Sequence, residues 1–114
     1  MTEDTAMKKL PYRATTGTGD TFDIEFPLDR DTGDAVRVHQ LVSEILESID
    51  RALSVGKPTS NGDVLQAVAM AMAVRARMIH APAEATARLA QGLLSTALEA
   101  AAEAPRQAPT SGRA

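Results

Sequence analysis

Apolar and polar residues alternate without interruption in "TFDIEF". Phe22, Ile24 and Phe26 fall on one side, with Thr21, Asp23 and Glu25 on the other. A period of two marks a half-buried strand over 21–26, and Pro27, which cannot donate to a ladder, ends it. These three apolar side chains are the expected anchors of the N-terminal arm. No second strand of equal strength follows. "YRATT" can fold back through the "GTGD" turn as a hairpin, or the strand can pair with its copy in a second chain. The alternation alone leaves both open.

The period then changes. Over about 34–54, Val38, Leu41, Val42, Ile45, Leu46, Ile49, Ala52 and Leu53 gather on an arc of roughly 140° at 100° per residue. Arg37, Gln40, Glu44, Glu47 and Arg51 lie opposite, and Glu47 and Arg51 have the favourable four-residue spacing. Asp34 sits where a carboxylate suits the positive end of a helix dipole. In "VGKPTSNGD", Gly56 supplies a left-handed C-terminal residue and Pro58 forbids continuation. Ser60 with Asp63 resembles a capping box with Asp in place of the usual Glu, so a second helix starts near Asn61 and runs to about His80.

This second helix is patterned differently, and Val64 to Val74 holds no charged side chain. Val64, Leu65, Val68, Met72 and Ile79 make one apolar lobe; Met70, Val74 and Met78 make another, with Ala67 and Ala71 between them. Together they cover roughly 220° of the wheel, leaving Gln66, Ala73, Arg77 and His80 for water. A helix apolar over so much of its circumference needs cover on two sides, and the first helix supplies one. Val68, Met70, Ala71, Met72, Val74 and Met78 are the expected packing residues between helices or chains. The small Ala67/Ala71 strip admits a close neighbour, and methionines fill irregular gaps.

Pro82 suits the start of a third helix, about 82–102, and disfavours helical geometry at Ala81. Leu89, Leu93, Leu94, Ala97 and Leu98 share its apolar face, with Arg88, Gln91, Ser95 and Glu99 opposite. The second and third helices can also be one rod kinked at Pro82. Residues 1–20 read as a mobile arm, 21–102 as the helical domain, and 103–114, "EAPRQAPTSGRA", as a disordered tail. There is no internal repeat.

Composition sharpens this outline. The hydrophobic share is 44%, but alanine dominates it and aromatics are only 3% of the 114 residues, so the core is thin per residue. Thin small cores are commonly completed by oligomerisation, and a twofold homodimer is the expected form. The fold class is therefore mainly α: a small three-helix domain behind an arm with one short strand or hairpin. Net charge of −3 gives no general attraction to polyanions. Zero cysteines exclude disulfides and thiolate chemistry. The N-terminus shows no apolar leader, and the uncharged stretch is too short to span a bilayer, so the cytoplasm is the expected compartment.

Candidate chemistry is sparse. Arg75 projects near the middle of the second helix's apolar arc, either as an anion clamp for a ligand or as the ion-pair partner of Glu44 or Glu47. His39 and His80 share no metal-ligand spacing with each other or with nearby carboxylates, and read as structural or solvated. Asp20, Asp23, Glu25, Asp29, Asp31 and Asp34 form an acidic edge, yet "DRDTGD" lacks the length and terminal Glu of a calcium loop. "TGTGD" opens no helix and makes no phosphate cradle. No catalytic residue, cofactor or metal is expected.

The order of strand, helix, Gly-containing turn and second helix over about 21–79 resembles the ribbon-helix-helix DNA-binding dimers. That resemblance implies strands from two chains paired in a ribbon that enters the major groove. Here the polar face of the strand carries Asp23 and Glu25, which repel phosphate, while Lys8, Lys9 and Arg13 are the basic residues of the arm. The expected function is accordingly a non-catalytic protein–protein interaction or regulatory module acting as a homo-oligomer. The alternatives are a ribbon-helix-helix-like transcription regulator and a small ligand-binding protein or enzyme using Arg75.

Overall fold

The computed structural model describes residues 8–109. Residues 1–7 of the arm expected at 1–20 and residues 110–114 of the tail expected at 103–114 lie outside the described residues. The element order is β1 (Lys9–Thr15), β2 (Thr21–Pro27), α1 (Ala35–Leu53), α2 (Asn61–Arg77) and α3 (Ala83–Glu103). The described residues group into two compact units. One holds the chain up to His39 together with the part from Ser95 onward; the other is Gln40–Leu94.

In the first unit, the strand legible in the sequence finds its partner within the chain. β1 and β2 pair antiparallel, with Leu10 opposite Phe26, Tyr12 opposite Ile24 and Ala14 opposite Phe22. Residues 9–15, assigned from sequence to the arm, thus form a strand, because Leu10, Tyr12 and Ala14 supply the apolar counterpart of Phe22, Ile24 and Phe26. Pro11 obscures that alternation in the sequence and is tolerated because β1 is an edge strand. The five-residue connection closes with Thr16 N–H to Asp20 O at 2.9 Å and Gly19 N–H to Thr16 O at 3.0 Å. Gly19 has φ 93°, a left-handed geometry that glycine adopts without steric cost.

Leu10, Ile24 and Leu28 are the buried apolar residues of the described chain. Around them, Tyr12 lies 4.8 Å from His39 between ring centroids, at 51°. The Arg106 guanidinium stacks 4.8 Å above the Phe22 ring and binds Asp20 at 2.7 Å. Thr21 and Gln107 exchange backbone hydrogen bonds of 2.8 and 2.9 Å. Residues 106 and 107, part of the tail expected to be disordered, are therefore strapped to the outer edge of β2.

Asp34 caps α1, its carboxylate accepting from Arg37 N–H at 3.0 Å. At the other end Gly56 takes φ 79° and turns the chain out of the helix. In the second unit Ser60 caps α2, with Asp63 N–H donating to Ser60 Oγ at 3.1 Å. α2 stops at Arg77, three residues earlier than the periodicity suggests, because the backbone ahead of Pro82 disfavours helix. Ala85 and Thr86 N–H then donate to Pro82 O at 3.0 and 3.2 Å. The second and third helices are thus separate elements and not one kinked rod.

Candidate interaction surface

The helical unit is defined by what it leaves uncovered. Among its described residues only Thr86 is buried, its hydroxyl donating to Ala83 O at 3.1 Å. No large apolar residue of this unit is buried: Val42, Ile49, Val64 and Met72 are half-buried and the rest are exposed. Leu41, Ile45 and Leu46 on α1 are exposed, as are Leu89, Leu93 and Leu94 on α3. On α2 Leu65 is 70% exposed, Met70 58% and Val74 56%, and Met78 just after it is 65% exposed.

Two grooves show how α2 faces its neighbours. One, of about 400 Å³, lies between α1 and α2 and is lined by Ile45, Ser48 and Ile49 against Ala67, Val68 and Ala71. The small alanine strip between the two apolar lobes therefore faces α1, as side-chain volume suggests. The other, of about 350 Å³, is lined by Met72, Ala73, Ala76 and Arg77 against Thr86, Ala90 and Leu94 of α3. Ala73 and Arg77, assigned to water from the wheel, are exposed and also border this groove. Alanine methyls at 69, 73 and 76 make a surface that α3 can approach, which hydrophobicity ranking alone undervalues. The lobe of Met70 and Val74 is among the lining residues of neither groove.

Of the expected packing residues, Met72 is half-buried toward α3, Val68 and Ala71 border the α1 groove, and Met70, Val74 and Met78 stand open. In the hairpin, Ile24 is buried and Phe22 and Phe26 are half-buried. Arg75 is exposed and holds no ion pair with Glu44 or Glu47 among the described residues. His39 meets Tyr12, and His80 is exposed in the turn after α2.

The solvent face of the hairpin carries a two-bond ion pair. Arg13 binds Asp23 through two hydrogen bonds of 2.7 and 2.9 Å. The hydrogen bond from Arg13, with its charge, holds the Asp23 carboxyl below its usual range, and Arg13 is raised in turn. The acidic set does not converge. Asp29 accepts from Asp31 N–H, Asp34 caps α1 and Asp20 holds Arg106, so backbone and local cations occupy these carboxylates. Among the described residues no group of His, Asp and Glu is placed to hold a metal ion, and no helix is long and apolar enough to cross a membrane.

No known protein family, curated protein or solved structure matches the chain.

Proposed function

We propose that the chain is a non-catalytic assembly module of the cytoplasm that acts as a homodimer, its helical unit completed by a second copy. The observation that carries this reading is the distribution of burial. Among the described residues all three buried apolar residues sit in or beside the hairpin, whereas no large apolar side chain of the helical unit is buried and most, including Leu41, Ile45, Leu65, Met70, Val74 and Leu93, stay exposed. Fully burying one such side chain is worth ~1.5–3 kcal/mol, and a domain's whole stability is only ~5–15 kcal/mol. Along α2 and the turn after it, Met70, Val74 and Met78 stand open on one side and Leu65, Val68 and Ile79 on the other, so apolar surface is left uncovered on both.

A second copy is the partner favoured by chemistry. A surface with no charge between Val64 and Val74 meets its own image without electrostatic repulsion, and closed twofold dimers are the commonest soluble assembly. Light scattering on Met70→Glu/Val74→Glu tests the reading. Loss of half the mass with helicity kept supports it; an unchanged mass, or helicity lost in step with mass, contradicts it.

A further inference from the structure

The open lobe of α2 carries a charge arrangement that selects one way of pairing. Asp63 and Arg77 each lie seven residues from Met70, on opposite sides, which is two turns or roughly 10 Å along the axis. All three residues therefore share one face of α2. Gln66, Ala67, Ala73 and Val74 also fall within roughly 60° of Met70 on the wheel. Met70 and Val74 are more than half exposed, Asp63 and Arg77 are exposed, and neither charge holds an ion pair among the described residues. The face is thus an uncharged centre with one anion at one end and one cation at the other.

We infer that two copies of α2 pack antiparallel through this face, with the twofold axis passing beside Met70 and Asp63 of each copy opposite Arg77 of the other. The inference rests on the proposed dimer and deepens it by naming the face, the direction and the register. A parallel pairing sets Arg77 against Arg77 and Asp63 against Asp63, two like-charge contacts at the rim of an apolar contact. The antiparallel pairing replaces these with two opposite-charge contacts, and Met70 meets its own copy at the centre. The face also has the right texture: small Ala67 and Ala73 flank Met70, so a thioether can seat between alanine methyls of the opposing helix. α1 and α3 flank this face through Ala67 and Ala73 respectively, and neither covers Met70 or Val74.

The absence of native cysteine makes the register directly measurable in the full chain. Met70→Cys places two thiols opposite each other at the axis, within the ~6 Å between Cα atoms that a disulfide spans, whereas Leu65→Cys on the far side of α2 does not. Mild oxidation is expected to crosslink Met70→Cys into a covalent dimer and to leave Leu65→Cys uncrosslinked. Charge reversal supplies the second test. Asp63→Arg and Arg77→Asp, each alone, convert two attractive rim contacts into two repulsive ones and weaken the homodimer by roughly tenfold. Mixed one to one, the two variants form a heterodimer at near wild-type affinity, because every arginine then faces an aspartate.

A wild-type chain that is monomeric by light scattering defeats the dimer itself. A wild-type dimer in which Met70→Cys fails to crosslink, or in which the mixed variants pair no better than either alone, overturns the antiparallel register while leaving the dimer standing. Circular dichroism of each variant separates these outcomes from loss of helix, since Asp63 and Arg77 also lie at the ends of α2 where reversal opposes the helix dipole. If both reversals unfold α2, Asp63→Cys decides the direction: it does not crosslink to itself in the antiparallel pair, and a covalent Asp63→Cys homodimer overturns the proposal, whereas Met70→Cys meets its own copy in either direction.

Discussion

Arg106→Ala probes the feature that strand and helix periodicity gave no reason to expect: a chain end strapped to the hairpin. The guanidinium makes two contacts with the hairpin, an ion pair to Asp20 at 2.7 Å and stacking 4.8 Å above Phe22. Arg106 is 61% exposed and Asp20 20%, so the ion pair belongs at the modest end, ~0.2–1 kcal/mol. Stacking on a half-exposed ring adds ~0.5–1 kcal/mol. The sum of about 0.7–2 kcal/mol corresponds to a roughly threefold to thirtyfold increase in the opening of the strap. Thr21 and Gln107 report that opening directly, because their backbone groups bond to each other at 2.8 and 2.9 Å. Amide hydrogen exchange on wild type and Arg106→Ala is therefore expected to show faster exchange at Thr21 and Gln107, with Ile24 on the paired edge of β2 unchanged. Unaltered exchange at Thr21 and Gln107 would refute the strap. Equal acceleration at Ile24 would show instead that Arg106 supports the whole hairpin.

Three further expectations follow from single contacts. Ile24→Ala removes the buried centre of the hairpin and should cost ~2–4 kcal/mol in a denaturant melt, at the lower end if Tyr12 and His39 settle into the space; a loss under 1 kcal/mol would mean this residue is not central to the core. Ser60→Ala deletes the cap that accepts Asp63 N–H and should destabilise α2 by ~1 kcal/mol, visible as fraying of residues 61–64 in exchange and absent in Ser60→Asp. The Arg13–Asp23 contact lowers the folded carboxyl's affinity for protons, so its stabilisation is present above the ordinary carboxylate range and is lost as pH falls through the folded Asp23 value. Both side chains are exposed, so salt should screen it. In an NMR titration Asp23 is expected to move up to the usual carboxylate range in Arg13→Ala, and an unmoved midpoint would contradict the pairing.

The parts of the fold carried by local pattern were legible in the sequence. Alternation located β2, the 3.6-residue period located α1 and α3, and Gly56, Ser60 and Pro82 punctuated them where their backbone chemistry requires. One feature was legible only as an alternative, and one not at all. The hairpin of "YRATT" through "GTGD" is one of two pairings the sequence leaves open, because β1 is interrupted by Pro11 and carries Ala14 where a larger apolar residue would complete the alternation, so its strand character is decided only against Phe22, Ile24 and Phe26. The strap depends on Arg106 and Gln107 meeting residues more than eighty positions earlier, and a segment rich in Pro, Ala and Arg carries no local sign of that contact. Within the candidate surface, the unusual girth of apolar residue on α2 stood out early. Which side α3 takes did not, because the relevant surface is alanine methyls at 69, 73 and 76, which scarcely register as an apolar stripe. Arg75, the one charge on the apolar arc, is open to solvent and not clamped between carboxylates.

The account depends on one point: the open faces of the helical unit are covered by a second copy of the same chain. Sedimentation equilibrium on the unaltered chain across a hundredfold range of concentration tests it most directly. The expected result is a mass twice the 12.0 kDa of the chain, falling toward the single-chain value only on dilution and with a matching drop in helical signal. A constant mass of 12.0 kDa, with full helicity and cooperative melting at every concentration, would contradict it.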